Sequence, residues 1–372
     1  MARVLNFSAG PSQLPLEVLE KAAKEMTDYG NTGTSVMEMS HRSKAFEGII
    51  NNAKDNLRKL MNVPENYDII FMQGGASTQF AAVPLNLLGD KDSADYSDTG
   101  AWSDKAIKEA KKYCNVNVVS SSKEQIYNHI PDLDKSKLNP NAAYFHFTTN
   151  NTIYGTKWNK LPETGNVPLV TDMSSSILSE PVDVAKYGLI YGGAQKNIGP
   201  AGLVAVVIRK DLLEISKEKA KTITPTMLRY DICAENNSMY NTPPTYSIYI
   251  AGLVFEHLLA LGGLEEMKKR NVAKAELLYG YLDNSKMFKA TVRAQDRSLM
   301  NVPFVCKNEA LSKEQKEELE KKCVKTAADA GLINLGGHRS IGGLRASIYN
   351  AIDLNGVKTL VNFLEKFEKE NA

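Results

Sequence analysis

The sequence predicts an α/β fold, in which a large domain with a mostly parallel, helix-covered β-sheet precedes a small α+β domain at the carboxyl end. Short β-branched apolar runs alternate with amphipathic stretches through the first two thirds of the chain, as in βαβ units. A chain of 372 residues is also too long for one small core. We therefore predict a large domain over residues 16–265 and a small domain over residues 266–372, with residues 1–15 packing on the small domain.

The predicted elements follow this alternation. The strands of the large domain are apolar runs at residues 67–72, 143–148, 169–172, 188–192 and 202–208. Its helices have one apolar face and lie at residues 16–28, 43–61, 77–88 and 101–113. A helix at residues 245–261 is apolar on most faces and is predicted to be buried, whereas a long charged helix at 264–282 is predicted to bridge the domains.

The small domain is predicted from the pattern that follows the bridging helix. A strand at residues 298–304 precedes a helix rich in Lys and Glu and a glycine-rich turn. A strand at residues 344–348 and a final helix from Leu354 complete it. This order of elements indicates an α+β arrangement.

Charge and cysteine content exclude several classes of protein. Lys and Arg number 45 against 43 Asp and Glu, without a basic block, so nucleic-acid binding is not expected. The Lys-rich segments 105–112 and 312–325 also contain Glu and are predicted to be solvated helix faces. The four scattered cysteines form no metal-ligand pattern with the histidines, and no apolar run could span a membrane. We expect a cytoplasmic protein without a metal ion.

Lys196 is the strongest candidate for covalent chemistry. It follows an apolar strand and lies in the glycine-containing turn YGGAQKNIGPAG. A lysine held at a strand end and partly desolvated can lose its proton and attack an aldehyde as a Schiff-base nucleophile. An isolated motif of this kind is more often a surface lysine on a tight turn, so the neighbouring residues must decide.

Asp172 is the second candidate, because it ends the predicted strand 169–172. Ligands of open α/β sheets bind at the carboxyl ends of strands. A carboxylate placed there could keep the ring nitrogen of a pyridoxal cofactor protonated. The alternative is that Asp172 only caps the turn that follows it.

Two turns could bind the other parts of a flat, phosphorylated cofactor. Residues 73–79 run from a strand through Gly74 and Gly75 into a helix, so backbone N–H groups and the Ser77 hydroxyl form a candidate phosphate site. Trp102, in a turn of small residues, could stack on a heteroaromatic ring. Packing in the core is the alternative for this tryptophan.

Cationic residues gather in two distant segments, which contain His41 and Arg42 in one and His338, Arg339 and Arg345 in the other. Arginine binds carboxylate and phosphate oxygens in pairs, so convergence of these segments would indicate a small dianionic substrate. Taken singly, each arginine more often forms a surface ion pair.

Nine segments, in this order, resemble the phosphoserine aminotransferase family, which belongs to the class V aminotransferases of the aspartate aminotransferase superfamily and to PLP fold type I. The segments extend over nearly the whole chain: FSAGPSQLP, SVMEMSHRS, FMQGGAS, TGAWS, NNTIYGT, DMSSSILS, YGGAQKNIGPAG, MYNTPPTYSIY and GHRSIGGLRASIYNA. The resemblance implies a large domain that binds pyridoxal 5'-phosphate, a small α+β domain, and a homodimer with active sites at the interface.

The resemblance also implies roles for individual residues. Lys196 would hold the cofactor aldehyde and act as the catalytic residue, Asp172 would face the pyridine nitrogen and Trp102 would stack on the ring. Further implied cofactor-binding residues are Ala76, Ser77, Thr152 and Gln195, with Asn241 and Thr242 from the neighbouring subunit. The implied substrate-binding residues are Arg345 for the α-carboxylate and His41, Arg42, His338 and Arg339 for the distal anion.

The implied reaction is the reversible transfer of an amino group between glutamate and 3-phosphohydroxypyruvate, which gives O-phospho-L-serine and 2-oxoglutarate in serine biosynthesis. A second role in pyridoxine biosynthesis stays open. The alternatives are an alanine–glyoxylate type aminotransferase, a cysteine desulfurase, and a binding protein that has lost turnover.

One segment departs from the family pattern. Ser97 and Asp98 stand where the family usually has apolar strand residues before Trp102. A buried Asp98 would be costly unless it is paired, which leaves the packing beneath Trp102 open.

Overall fold

The computed structural model describes residues 3–220 and 223–371. Residues 1–2, 221–222 and 372, which the predicted domain ranges include, lie outside the described residues.

The described residues form strands and helices that we number in chain order. The strands are β1 (Leu5–Asn6), β2 (Tyr67–Gln73), β3 (Ser93–Asp98), β4 (Asn115–Ser121), β5 (Phe145–Thr148), β6 (Asn150–Asn151), β7 (Thr156–Lys157), β8 (Leu169–Asp172), β9 (Leu189–Gly193), β10 (Leu203–Arg209), β11 (Phe288–Ala290), β12 (Asn301–Cys306), β13 (Leu332–Ile333) and β14 (Leu344–Ser347). The helices are α1 (Leu16–Lys24), α2 (Lys44–Met61), α3 (Gly75–Leu87), α4 (Ala101–Ala110), α5 (Lys210–Lys219), α6 (Tyr230–Glu235), α7 (Thr245–Ala260), α8 (Gly263–Asn284), α9 (Lys313–Asp329) and α10 (Leu354–Asn371).

The central sheet has seven strands in the order β2-β10-β9-β8-β5-β3-β4. The neighbours from β9 to β4 pair in parallel, and β10 is antiparallel to both β2 and β9. The predicted α/β fold with a mostly parallel sheet is therefore confirmed. All five predicted strands of this sheet are present, and their ends are shifted by no more than two residues.

The direction of these strands decides where a site can form. Because β10 is antiparallel to both of its neighbours, β2 runs in the same direction as β8 and β9. Their carboxyl ends, at Gln73, Asp172 and Gly193, consequently meet at one edge of the sheet. This is the edge at which open α/β sheets bind ligands.

The sequence did not predict β3 and β4, because both contain polar residues that the sheet nevertheless buries. Ser97 Oγ lies 2.9 Å from Ser120 Oγ on the neighbouring strand. Asp98 is 6% exposed and accepts hydrogen bonds from the Ser103, Ser121 and Tyr127 hydroxyls at 3.2, 3.2 and 3.3 Å. The departure at Ser97 and Asp98 is thus accommodated by pairing, which reduces the cost of burying these groups.

Burial nonetheless changes the pKa of Asp98. Desolvation raises the pKa of its carboxyl, while the hydrogen bonds from Ser103 and Ser121 oppose that rise. Ser103 also accepts the backbone N–H groups of Thr99 and Gly100 at 2.9 Å each. The hydrogen bonds of Ser103 with Asp98 and with the backbone of the turn therefore fix the start of α4, the helix that carries Trp102.

The helices that follow the central sheet in the chain lead from one core to another. α7 carries nine buried residues and shares a core with α2, as the prediction of a buried helix requires. α8 begins in that core with Leu264 and Met267 and ends in a separate one with Leu278 and Leu282.

The separate core is built from α8, α10, β12 and β14, and it also contains Phe7 from the amino-terminal segment. β1 pairs in parallel with β13, which ties the same segment to the carboxyl-terminal part of the chain. This arrangement agrees with a small domain that residues 1–15 pack against, although the boundaries at residues 265 and 266 stay a prediction.

Within the described ranges, no single helix is both long and apolar enough to cross a membrane; α7 and α8 meet the two requirements only as a pair, which is bent by 83°.

Candidate active site

A cavity of about 570 Å³ opens at the carboxyl edge of the central sheet. Its lining contains nine of the predicted site residues: Ala76, Ser77, Trp102, Thr152, Asp172, Gln195, Lys196, His338 and Arg345. These residues come from six separate segments of the chain, so the fold brings together what the sequence presents as isolated motifs.

Lys196 lies in the turn that follows β9 and is 7% exposed. Its Nζ donates a hydrogen bond to Thr152 Oγ1 at 2.8 Å. Its backbone is anchored as well, since the Ser12 hydroxyl donates to the Lys196 carbonyl at 2.5 Å. The alternative of a surface lysine on a tight turn is thereby excluded.

The environment of Lys196 favours the neutral amine. Burial lowers its pKa to about 8; the negative charge of Asp172 opposes this change, and the positive charge of Arg345 adds to it. An amine with this pKa is roughly half neutral at pH 8, whereas a lysine with the usual value near 10.5 is neutral in only about one molecule in three hundred. The residue is therefore suited to act as a nucleophile or a base near neutral pH.

This pKa predicts how the cofactor-free protein should react with an aldehyde. The rate of covalent capture of pyridoxal phosphate, trapped by borohydride reduction at Lys196, is expected to rise with pH and level off above a midpoint near pH 8. The rise follows from deprotonation of the attacking amine. A midpoint of about 10, as for an ordinary lysine, would contradict the proposed environment.

Asp172 ends β8 on the same edge and is 4% exposed. Its Oδ1 accepts the Ser174 backbone N–H at 2.8 Å, so it does cap the following turn. Burial raises the pKa of its carboxyl, while hydrogen bonding from Ser174 and the charge of Lys196 lower it. A cation placed in the cavity would favour the carboxylate further.

The turn between β2 and α3 brings a helix start to the cavity. Gly74 has φ +90°, and a Cβ at this position would lie 1.9 Å from Thr78 Oγ1, so only glycine fits. The first residues of α3, namely Gly75, Ala76 and Ser77, line the cavity. A helix start of this kind, with free backbone N–H groups, binds phosphate.

The closeness of the strand ends depends on a second glycine. A Cβ on Gly193 would lie 2.7 Å from Gln195 Oε1 and 3.5 Å from the Ala76 backbone N. The end of β9 is therefore packed directly against the start of α3. Lys196 and the candidate phosphate site are held a short distance apart as a result.

Three buried polar atoms on the cavity wall have no hydrogen-bond partner among the described residues: Trp102 Nε1, Thr148 Oγ1 and Arg345 Nε. Buried polar groups are normally paired, so these atoms indicate a ligand that supplies the partners. Together with the helix start and the buried Lys196 and Asp172, they are compatible with a flat phosphorylated heterocycle.

Arg345, on β14, reaches the cavity from the small-domain side. Its Nη1 donates a hydrogen bond to the Thr152 carbonyl at 3.4 Å, and no ion pair to a described carboxylate involves it. Burial lowers its pKa. A half-buried arginine without a carboxylate partner is a suitable site for an anionic ligand.

Five predicted residues lie elsewhere in this single chain: His41, Arg42, Arg339, Asn241 and Thr242 do not line the cavity. Asn241 lines a neighbouring cavity of about 330 Å³ that also contains Gly74 and Thr78. The Thr242 carbonyl accepts a hydrogen bond from Gln73 Nε2 at 3.2 Å. Both therefore lie near the β2–α3 turn, outside the main cavity.

The sequence reasoning missed several polar residues of the lining. Asn150 donates from Nδ2 to Ser175 Oγ at 2.7 Å and to Asn301 Oδ1 at 2.8 Å. Thr148 ends β5, the strand next to β8. Its position at a strand end was the available signal, the same one that singled out Asp172. The described residues contain no group of His, Cys, Asp or Glu side chains that could hold a metal ion.

Comparison with known proteins gives a consistent result. The aminotransferase class-V family matches residues 4–360. A phosphoserine aminotransferase of Pseudomonas entomophila is 52% identical over 371 residues, which cover 100% of this chain and 99% of that protein.

Solved structures agree with this finding. The phosphoserine aminotransferase from Bacillus circulans subsp. alkalophilus is 44% identical, with a TM-score of 0.93 and coverage of 100% of this chain and 99% of that one. A PLP-bound phosphoserine aminotransferase from Trichomonas vaginalis is 40% identical, with a TM-score of 0.92 and coverage of 98% and 100%.

Proposed function

This chain belongs to the class-V aminotransferase family, and from that premise we propose that its site transfers an amino group reversibly between glutamate and 3-phosphohydroxypyruvate. The products are O-phospho-L-serine and 2-oxoglutarate, and the reaction belongs to serine biosynthesis. The observation that carries this proposal is the full-length similarity to phosphoserine aminotransferases, at 52% identity for the Pseudomonas entomophila protein. The cavity is compatible with it, since a buried Lys–Asp pair lies beside unpaired cationic groups.

The cofactor is pyridoxal 5'-phosphate, which supplies an electron sink for the bonding electrons of the substrate Cα. The residues present are suited to hold it. The backbone at Ala76 and Ser77 would bind the phosphate, Trp102 would stack on the ring, and Asp172 would face the ring nitrogen. Thr152 and Gln195 would lie near the ring hydroxyl and the phosphate.

Lys196 has two tasks in this proposal. Its Nζ would hold the cofactor aldehyde in the resting enzyme and would be released when a substrate amine binds. The freed Nζ then takes the proton from the substrate Cα as a general base and delivers it as a general acid. Two observations support this role. The lowered pKa of Lys196 makes the neutral amine available near neutral pH, and the hydrogen bond to Thr152 Oγ1 fixes the direction of Nζ.

The cationic groups bind two different anions in turn. Arg345 holds the α-carboxylate that both amino acids share; its side chain lines the cavity, and its buried Nε has no hydrogen-bond partner among the described residues. His338, in the turn before β14, lines the cavity and binds the distal phosphate of one substrate or the distal carboxylate of the other. Arg339, the next residue of this turn, is proposed to bind the same anion, although it does not line the cavity of its own chain. A site that accepts both must present cations at two ends.

The remaining predicted residues require a second subunit. We propose a homodimer in which His41, Arg42, Asn241 and Thr242 reach the cavity of the partner subunit. Their position outside the cavity of their own chain supports this arrangement. The predicted cytoplasmic location stays a prediction.

Mixed dimers test this shared site. Lys196→Ala and Arg42→Ala chains should each be nearly inactive with phosphoserine, and an equal mixture after subunit exchange should recover activity. In a mixed dimer, one site combines an intact Lys196 with an intact Arg42 from the other chain. If each chain completes its own site, mixing should restore nothing.

The proposed reaction is tested by measuring amino transfer from glutamate to 3-phosphohydroxypyruvate, with alanine plus glyoxylate and with cysteine as the competing substrates. We expect kcat/KM for the competing substrates to be lower by at least about a hundredfold, because they leave the distal cations unpaired. Faster turnover of alanine or release of sulfide from cysteine would overturn the proposal. Including 4-phosphohydroxythreonine decides the role in pyridoxine biosynthesis.

A further inference from the structure

Lys105 is a cationic residue that the proposed mechanism does not use. It lies on α4, three residues after Trp102, and is exposed. Residues three apart face the same side of a helix. Its Nζ lies 4.4 Å from the centroid of the Trp102 ring, which itself lines the cavity. Lys105 does not itself line the cavity, but the cation–π contact holds its ammonium beside a residue that does.

Two other lysines near Lys105, one on α4 and one beyond β4, behave differently. Lys108 pairs with Asp104 at 2.6 Å and Lys123 reaches the same carboxylate at 3.7 Å. Across the parts of the chain that the structure describes, no salt bridge or hydrogen bond of Lys105 to a carboxylate is present. Among the described residues Lys105 therefore has no acidic partner, whereas Lys108 and Lys123 share Asp104.

Lys105 also acts electrostatically on His338, which lines the cavity. Burial lowers the pKa of His338, and the positive charges of Arg345, Arg339 and Lys105 lower it further. Three cationic side chains from two parts of the chain, Lys105, Arg339 and Arg345, therefore act on the same histidine. Such an accumulation without acids is unfavourable unless an anion binds there.

We propose that Lys105 binds the distal anionic group of the substrate and favours the phosphate ester over the carboxylate. Three observations support it: the contact with Trp102, which lines the cavity, the absence of an acidic partner in the described chain, and the electrostatic effect of Lys105 on His338, another lining residue. A lysine acts as a point charge towards phosphate, so its attraction is larger for a dianion than for a single carboxylate. The inference rests on the proposed function.

The test uses the complete enzyme with its cofactor and compares Lys105→Met with Lys105→Arg. Single-turnover measurements with phosphoserine and with glutamate separate the two half-reactions. For Lys105→Met we expect kcat/KM to fall roughly tenfold or more with phosphoserine and only about twofold to threefold with glutamate, mainly through KM. Lys105→Arg should retain most of the activity, because it keeps the charge.

Lys108→Met is the matched control, since it removes the same charge one turn further along α4 and should leave both half-reactions unchanged. Dependence on salt concentration with phosphoserine should also be weaker in Lys105→Met than in the unchanged enzyme.

If Lys105→Met lost kcat/KM equally with phosphoserine and with glutamate, Lys105 would only hold the Trp102 ring in place, and the proposal would be overturned. An unchanged kcat/KM with both substrates would also overturn it. Failure of the proposed function itself is distinguishable, because the unchanged enzyme would then not convert phosphoserine at all.

Discussion

Replacing Lys196 by alanine should abolish amino transfer, with a loss of at least about ten-thousandfold in kcat. Both the nucleophile and the proton-transfer group are removed by this one change. No other lysine lines the cavity among the described residues, so none can take over. The measurement is a single turnover with phosphoserine under conditions in which cofactor content is determined separately.

The controls for Lys196→Ala separate chemistry from folding. The variant should still bind pyridoxal phosphate, now without a covalent bond, because the helix start at Ala76 and the carboxylate of Asp172 are unchanged. Lys186→Ala, at an exposed lysine, should have full activity. Partial restoration of turnover by small primary amines would support the proton-transfer role, whereas near-normal turnover of Lys196→Ala would exclude it.

Asp172→Asn is expected to lower kcat by about a hundredfold to a thousandfold while the fold is kept. The amide has nearly the same shape and can still accept the Ser174 N–H, but it carries no charge to keep the ring nitrogen protonated. Asp172 is buried, so water cannot replace the lost charge. The loss should appear in the proton-transfer step and leave the affinity for substrate largely unchanged.

A matched exchange at an exposed carboxylate provides the comparison. Asp132→Asn should leave the rate unaffected. If Asp172→Asn and Asp132→Asn had the same activity, the carboxylate of Asp172 would serve only to cap its turn, which was the alternative reading of the sequence.

The parts of the site that lie at strand ends were predictable from local sequence. Lys196, Asp172 and the turn at Gly74 each follow an apolar strand, and parallel strands bring their carboxyl ends to one edge. Local sequence alone could not decide between a functional and an ordinary role for any of them. The resemblance of nine segments to one family favoured the functional role, and the comparisons confirm the family.

Other features could not be predicted, because they depend on contacts distant in sequence. Polar β3 was missed since its burial relies on partners such as Ser120 and Tyr127. Lys105 belonged to a segment predicted to be a solvated helix face, and only its contact with Trp102 distinguishes it from Lys108.

The central claim is that a cofactor bound at Lys196 accepts the amino group of a phosphorylated amino acid. The most direct measurement is the absorption spectrum of the purified protein with pyridoxal phosphate, before and after phosphoserine is added and, separately, after alanine is added. The account predicts that the visible absorption of the bound cofactor is lost with phosphoserine and persists with alanine. Absence of any cofactor absorption, or equal conversion by alanine, would contradict it.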